Sequence, residues 1–215
     1  MRGESAAQDA MKTRPQRESW LRAPPRRAET TALRPWLRDQ GSLTARIRAR
    51  CRDLQVRVLA QRLCVPHRDE ARLLGLRRGE LAWLREVVLI ADGRPVVYAR
   101  SVLPRHNLRG GWRLFADIGN RPLGAALFAD PRIRRAPLRV RRIDRRDPRL
   151  ARAGLAGVDT GAVLWARRSV FRRRGRALLV CEVFLPAIMD LHPCKIGSGP
   201  AVCPMDGAGN AEDSR

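Results

Sequence analysis

Alternation of apolar and polar side chains predicts an antiparallel sheet in the first half of the chain. Leu54, Val56 and Val58 alternate with polar residues between positions 54 and 61, as in a strand with one face toward solvent. Two longer apolar stretches, at 82–91 and 94–104, flank Asp92-Gly93, a dipeptide typical of a tight hairpin turn. We therefore predict one strand followed by a long β-hairpin.

The second half of the chain repeats this pattern. Leu138, Val140 and Ile143 mark a further strand, and residues 162–172 and 176–186 form a second long hairpin that turns at Arg174-Gly175. Hairpins dominate, and no alternation of strands with crossover helices is seen. The pattern predicts an α+β fold with a largely antiparallel sheet of six strands.

Two short helices are also predicted. Ser42 is a favourable helix cap, and the following apolar positions Leu43, Ile47 and Cys51 recur every four residues, as on one helix face. Pro122 is well accommodated in the first turn of a helix and precedes an apolar segment at 123–128. We expect these few helices to cover one face of the sheet.

The ends of the chain differ from its middle. Residues 1–34 mix Pro, Arg, Glu and Ala without periodicity, and residues 192–215 are rich in Gly, Pro and Ser. Such compositions bury too little apolar surface to offset the entropy of ordering. We predict a disordered N-terminal extension at 1–34, a single domain at 35–191 and a flexible C-terminal tail at 192–215.

The net charge of +23 raises the question of nucleic-acid binding. Lys12 and Lys195 are the only lysines, so the positive charge is almost entirely arginine, and it is dispersed along the strands and loops. Dispersed charge is typical of a solvated surface, whereas RNA binding would need exposed aromatic groups for stacking. Aromatic residues make up 5% of the chain and lie mostly in strand-like segments, so we expect no nucleic-acid partner.

Metal binding and membrane insertion are not predicted either. The five cysteines form no pair of CxxC motifs, and their odd number fits free thiols. No stretch approaches the roughly 18 to 20 apolar residues that a transmembrane helix needs, and the N-terminus lacks the apolar core of a secretory signal. We expect a cytoplasmic protein.

Two charged residues interrupt apolar strands. Glu182 lies in the apolar run 178–186, and Arg85 lies in the run 83–90. A buried carboxylate needs a cation or a polar ligand as its partner. These two residues therefore indicate a pocket with one positive and one accepting end, or else a buried ion pair with each other. Arg167 and Arg168 are further candidates for anion binding, with an exposed strand face as the alternative.

Five short motifs occur together in a fixed order. They are Trp83-Leu84-Arg85-Glu86, Ala91-Asp92-Gly93, Arg121-Pro122-Leu123-Gly124, Trp165-Ala166-Arg167-Arg168-Ser169 and Glu182-Val183-Phe184-Leu185-Pro186. By these motifs the chain resembles the bacterial chorismate pyruvate-lyase family between residues 36 and 191. The resemblance implies a six-stranded antiparallel sheet, with helices that form flaps over a buried ligand pocket.

The same resemblance implies an activity. A member of this family splits chorismate into 4-hydroxybenzoate and pyruvate without a cofactor or metal, in the first committed step toward ubiquinone. We therefore expect chorismate and 4-hydroxybenzoate as small-molecule partners, and a monomeric enzyme.

The resemblance also implies which residues form the pocket. Arg85 and Glu182 match the catalytic positions of the family, and Leu123 matches a binding position. Leu43, in Ser42-Leu43-Thr44, replaces the methionine of a Ser-Met-Thr motif. Arg85 would hold the ring carboxylate, Glu182 would accept a hydrogen bond from the ring hydroxyl, and the two leucines would form apolar walls.

One alternative keeps the fold but not the chemistry. The effector domains of some bacterial transcription regulators resemble this lyase fold and bind small carboxylates without converting them. Such regulators carry a winged helix-turn-helix ahead of the sensor. Residues 1–34 are too short and too rich in Pro to form one.

Overall fold

An antiparallel sheet forms the centre of the computed structural model, which describes residues 20–108, 112, 115, 118, 119, 121–157 and 163–193, without the side chain of Glu29. The described residues form seven strands: β1 (Leu54–Cys64), β2 (Ala82–Ala91), β3 (Arg94–Pro104), β4 (Ile133–Arg135), β5 (Arg139–Ile143), β6 (Leu164–Arg173) and β7 (Arg176–Phe184). Their order across the sheet is β1-β2-β3-β7-β6-β4, and β5 also pairs with β6. The predicted α+β class is confirmed.

Both predicted hairpins are present. Asp92 and Gly93 have φ angles of 48° and 78°, and Arg174 and Gly175 have φ angles of 49° and 75°. Two successive residues with positive φ form the tight turn whose twist matches that of the flanking strands. These turns fix the register of β2 against β3 and of β6 against β7.

The first strand is longer than its sequence pattern predicts. β1 runs to Cys64, and its pairing with β2 shifts register between Val58 and Ala60. A β-bulge of this kind shifts the side-chain alternation by one residue. The alternation that identifies the start of β1 therefore does not continue to its end.

Six helices lie among the described residues: α1 (Ala28–Thr31), α2 (Arg34–Arg38), α3 (Leu43–Arg48), α4 (Arg68–Leu74), α5 (Leu123–Ala129) and α6 (Pro148–Gly154). Short 3-10 helices follow β3 and β7, at Arg105–Asn107 and Pro186–Asp190. The predicted cap of α3 is confirmed, because Ser42 Oγ accepts a hydrogen bond from the Ala45 N–H at 3.3 Å. Pro122 is the N-cap of α5 rather than a residue of its first turn.

The sheet has two covered faces, which we call the cavity face and the network face. On the cavity face, Val87, Val97 and Phe184 share a core with Leu37 of α2 and Ile47 of α3. On the network face, the strands pack against α6 in a second core that includes Val88, Cys181, Val183, Leu150 and Ala153.

Two details of the predicted architecture are therefore wrong. The sheet has seven strands rather than six, because Ile133–Arg135 pairs with β6 in a strand too short to show periodicity. The helices cover both faces rather than one. Most of β2 is buried on both sides, and a sheet that is apolar on both faces needs cover on each.

Part of the predicted N-terminal extension belongs to the fold. Leu21 forms an isolated bridge with Val140 of β5, and Leu33 is 7% exposed within the core of the cavity face. The prediction of a disordered extension at 1–34 therefore does not hold for residues 20–34. Residues 1–19 and 194–215 lie outside the described residues, so most of the predicted tail does too. Within the described part of the chain, no helix has both the length and the apolar character to cross a membrane.

Candidate active site

A cavity lies between the cavity face of the sheet and the first turns of α3 and α5. It contains about 620 Å³ of free space, counting the part that opens to solvent. All four residues selected from the sequence line it, namely Leu43, Arg85, Leu123 and Glu182. The structure thus brings together side chains from β2, β7, α3 and α5.

The floor of the cavity explains why space is left there. β3 lies between β2 and β7, with Ser101 opposite Arg85 and Ala99 opposite Glu182. Neighbouring strands are spaced by about 4.8 Å, so the backbones that carry Arg85 and Glu182 are about 10 Å apart. The small side chains of Ala99 and Ser101 line the gap and leave it unfilled.

Arg85 provides a buried cation at one end. It is 2% exposed, and its Nη2 donates to the carbonyl oxygens of Gly119 at 2.8 Å and Arg121 at 3.2 Å. Its Nε has no hydrogen-bond partner, and no carboxylate among the described residues lies within ion-pair distance. Burial lowers the pKa of Arg85, but a guanidinium retains its proton at neutral pH.

Glu182 provides the acceptor at the other end. Its Oε2 accepts a hydrogen bond from Arg167 Nε at 2.5 Å, and 16% of its side chain is exposed. The alternative of a buried ion pair between Arg85 and Glu182 is therefore wrong. The intervening strand separates the two, whereas Arg167 lies directly opposite Glu182 on β6.

Arg167 is held firmly in place. It is fully buried, and its Nη1 donates to the carbonyl oxygens of Trp36 and Asp39, both at 2.8 Å. Its Nη2 has no hydrogen-bond partner. Arg168 points to the network face, where it pairs with Asp69 at 2.8 Å. The interpretation of Arg167 and Arg168 as an exposed strand face is therefore wrong.

Arg135 is a cavity residue that the sequence did not reveal. It lies on β4, and the central carbon of its guanidinium lies over the rings of Phe128 and Phe171, at 5.5 and 5.3 Å from their centroids. Its Nε has no hydrogen-bond partner. In the sequence, Arg135 lies among Arg132, Arg134 and Arg139, so it resembles one more residue of a charged surface.

The cover of the cavity is made by the first residues of two short helices. Leu43 begins α3 and is 3% exposed, and Leu123 begins α5 and is 6% exposed. The helices meet at Gly124, where an added methyl group would lie 3.1 Å from Thr44 Oγ1. A side chain at position 124 would therefore require Thr44 to shift by a few tenths of an ångström.

The charges around the cavity favour an anion. Among the described residues that line it, Arg85, Arg135 and Arg167 are cations and Glu182 is the carboxylate. Each of the three arginines has one buried N–H group without a hydrogen-bond partner. An unpaired buried donor is costly, and an acceptor on a bound molecule would satisfy it.

No other chemistry competes for this site in the described part of the chain. No cluster of three or more His, Cys, Asp or Glu side chains there is arranged to bind a metal ion. Cys51, Cys64 and Cys181 are free thiols, and none of them lines the cavity.

Comparison with known proteins agrees with the motifs. Residues 14–192 match the family model described as chorismate lyase. The chain is 64% identical over 183 residues to the probable chorismate pyruvate-lyase of Aromatoleum aromaticum, covering 84% of this chain and 99% of that one. It is 64% identical to the protein of the same description from Azoarcus sp. BH72, covering 81% and 94%. It is 49% identical to the one from Thiobacillus denitrificans, covering 73% and 84%.

Solved structures share the fold at low sequence identity. The crystal structure of PhnF from Mycobacterium smegmatis superposes with a TM-score of 0.50 at 19% identity, covering 70% of this chain and 66% of that one. The effector domain of the same protein gives a TM-score of 0.49, covering 69% and 90%. At this identity the likeness concerns the fold alone.

Proposed function

Because the chain belongs to the chorismate lyase family, we propose that it is a chorismate pyruvate-lyase that uses the cavity between β2 and β7 as its active site. The reaction yields 4-hydroxybenzoate and pyruvate, and the product serves ubiquinone synthesis. One observation carries the site assignment. A buried guanidinium without a carboxylate partner and a fixed carboxylate lie on either side of two small residues, in a cavity lined by one chain.

Arg85 would bind the ring carboxylate of chorismate. Its Nη2 is already held by two backbone carbonyls, so the guanidinium is positioned before the substrate arrives. Its unpartnered Nε would gain an acceptor on binding. A charge-assisted hydrogen bond in a site that excludes water is among the stronger polar contacts in proteins.

Glu182 would accept a hydrogen bond from the hydroxyl at the other pole of the ring. Arg167 fixes this carboxylate and is itself fixed by two backbone carbonyls of the segment before α3. Arg167 is therefore a positioning residue for Glu182. The two poles together set the orientation of the ring.

The chemistry then needs little help from acids or bases. The ring carbon that bears the hydroxyl loses its proton, the bond between the neighbouring ring carbon and the ether oxygen breaks, and the ring becomes aromatic. The departing enolpyruvyl group takes a proton on its methylene carbon and becomes pyruvate. No electrons are exchanged with a second reagent. Fixing the side chain over the ring supplies the main acceleration, since orientation alone can contribute about 7–11 kcal/mol.

Two assignments follow for the whole protein. We propose that it acts as a monomer, because one chain supplies both poles and the cover of the proposed site and the proposed chemistry needs no residue of a second copy. We also place it in the cytoplasm, where a soluble aromatic acid and its precursor would be available. The identity of 64% to proteins named as lyases supports an enzyme over a small-carboxylate sensor.

The direct test mixes the purified protein with chorismate and follows 4-hydroxybenzoate absorbance together with pyruvate. Equal amounts of both products are expected. A folded protein that binds 4-hydroxybenzoate but forms neither product from chorismate would contradict the lyase assignment and favour the sensor.

Variants at the two poles test the site. Arg85→Ala should weaken binding of both substrate and product, because both carry the ring carboxylate. Glu182→Ala should lower kcat at least as much as it raises KM, because the carboxylate orients the reacting ring. Unchanged turnover in both variants would remove these residues from the site.

Product release should be slow. 4-hydroxybenzoate keeps the carboxylate and the hydroxyl that the two poles bind, and Leu43 and Leu123 cover it. We expect product inhibition, with opening of the α3 and α5 cover as the limiting step. Added 4-hydroxybenzoate should lower the initial rate, and an unaffected rate would contradict this expectation.

A further inference from the structure

Arg135 lines the cavity but has no role in the site proposed so far, in which Arg85 and Glu182 bind the two ends of the ring. Only part of the residue is exposed, and among the described residues no carboxylate lies within ion-pair distance of it. Burial lowers the pKa of Arg135, and the nearby Glu182 and Arg167 charges act on it in opposite directions. A partly desolvated cation without an anionic partner is costly, which suggests that a ligand provides the missing anion.

Contacts within the protein fix the orientation of Arg135. The rings of Phe128 and Phe171 lie beside its guanidinium as cation–π partners. Its Nη1 donates to the carbonyl oxygens of Gln40 at 2.8 Å and Gly41 at 3.4 Å. The buried Nε is the donor that these contacts leave without an acceptor.

Arg135 approaches the cavity from the side opposite Arg85. β2 and β4 are four strand spacings apart in the order β2-β3-β7-β6-β4, which is about 19 Å between their backbones. Both arginines nevertheless line the same cavity. A ligand that contacts both therefore needs two separate anionic groups.

We propose that Arg135 is a substrate-binding residue that holds the second carboxylate of a dianionic substrate, the one on the enolpyruvyl side chain. The inference rests on the proposed function, because that substrate carries one carboxylate on the ring and one on the side chain. Arg85 takes the first and Arg135 the second. Arg167, whose Nη2 also lacks a partner, lies between them on β6.

This arrangement makes Arg135 specific for substrate over product. Cleavage of the ether bond transfers the second carboxylate to pyruvate, so 4-hydroxybenzoate has no group left for Arg135. Binding of the side-chain carboxylate also fixes the enolpyruvyl group relative to the ring, which is the geometry that the elimination needs.

The test compares Arg135→Gln with Arg134→Gln. Arg134 lies next to Arg135 on β4 but is exposed and does not line the cavity, so the control removes the same charge from the same strand. Arg135→Gln should raise KM for chorismate by about 10- to 100-fold. It should change the inhibition constant of 4-hydroxybenzoate by less than about threefold, because the product does not reach this residue. Arg134→Gln should change neither constant.

A purely structural role predicts a different outcome. Arg135 links β4 to the segment before α3, so loss of this link alone would loosen the cavity for every ligand. Equal changes in KM for chorismate and in the inhibition constant of 4-hydroxybenzoate would overturn the proposal, and so would no change in either. Thermal unfolding of each variant shows whether it folds, and Arg135→Lys, which keeps the charge, should recover part of the lost affinity.

The failure of this inference is distinguishable from that of the proposed function. If the wild-type protein does not turn over chorismate, calorimetric titration with chorismate and with 4-hydroxybenzoate replaces the kinetic constants. Loss of affinity confined to the dianion in Arg135→Gln would still support the role of Arg135. Equal loss for both ligands, or no loss, would contradict it.

Discussion

The two faces of the sheet bury charged residues in different ways. On the network face, Arg100 lies between Glu70 and Glu86, at 2.9 and 2.8 Å, and Arg149 pairs with Asp69 at 2.6 Å. Further pairs there join Arg149 to Glu70 and Asp147, Arg152 to Glu86 and Arg168 to Asp69. On the cavity face, Arg85 and Arg135 contact backbone carbonyls, and no described carboxylate pairs with either.

We infer that this difference separates charges that stabilise the fold from charges that bind an anionic ligand. Each carboxylate of the network has an arginine partner, so the cost of burying it is offset inside the protein. The cost of burying the cavity arginines is offset only in part, and a bound anion would supply the missing hydrogen-bond acceptors. The same residue type therefore forms ion pairs within the protein on one face and, in our proposal, binds a ligand on the other.

The largest effect should come from breaking the network. Arg149→Met removes the buried cation that pairs with Asp69, Glu70 and Asp147. Removal of one partner from such a cluster lowers the unfolding free energy by about 3–5 kcal/mol. Denaturant titration measures the loss, with Arg145→Met at an exposed position as the control. If both variants unfold at the same denaturant concentration, the network does not stabilise the fold as argued.

The next effect should appear on the cavity face, in ligand binding rather than stability. At 100 times its Kd, 4-hydroxybenzoate should stabilise the wild-type protein by about 2.7 kcal/mol. Loss of the charged hydrogen bond in Arg85→Met should raise Kd by about 100-fold. At the same ligand concentration, 4-hydroxybenzoate should then stabilise the variant by only about 0.4 kcal/mol. Thermal unfolding with and without the ligand measures both.

Without ligand, Arg85→Met should unfold within about 1 kcal/mol of the wild-type protein, because the lost hydrogen bonds are offset by the relief of a desolvated cation. A stability loss as large as that of Arg149→Met would remove the distinction between the two faces.

The smallest effect should come from a single hydroxyl of the network. Tyr98 donates to Glu86 Oε1 at 2.5 Å, and Tyr98→Phe should lower the unfolding free energy by about 1.5 kcal/mol. Burial, and then the Glu86 carboxylate, raise the pKa of Tyr98 above its ordinary value. The stability that this shift contributes is therefore complete below about pH 10, the pKa of an unfolded tyrosine, and is lost as the pH rises further.

The optical signal of this titration is unambiguous, because Tyr98 is the only tyrosine of the chain. Between pH 9 and 11 the folded protein should show no tyrosinate absorbance, and the band should appear only with unfolding. Ionisation of the folded protein near pH 10 would contradict the described environment of Tyr98.

The parts of the fold that local sequence determines could be predicted well. The bounds of β2 and β3 agree with the sequence pattern to the residue, because two residues with positive φ at Asp92-Gly93 set the hairpin. The bounds of β6 and β7 agree with the predicted hairpin to within two residues, because Arg174-Gly175 sets the turn in the same way. In contrast, the bulge in β1 and the short β4 depend on pairing partners distant in the sequence.

The four residues selected from the sequence line the cavity, but their partners were not predictable. Charged side chains within apolar runs identify Arg85 and Glu182, because burial of a charge requires a reason. Their partners depend on strand order, and the sequence does not show that β3 separates them while β6 places Arg167 beside Glu182. Arg135 gives no local signal, since in sequence it resembles its exposed neighbours.

The contact of Gly124 with Thr44 has a consequence for how the protein can change. The two covering segments approach closely at Gly124, where an added methyl group would require Thr44 to shift by a few tenths of an ångström and a larger side chain would require more. If a large side chain at 124 separated α3 from α5, we would expect faster escape of product and easier entry of water during the reaction. Release of the product and exclusion of water therefore make opposite demands on the side chain at position 124. The kinetics of a variant there would show which of the two limits the enzyme.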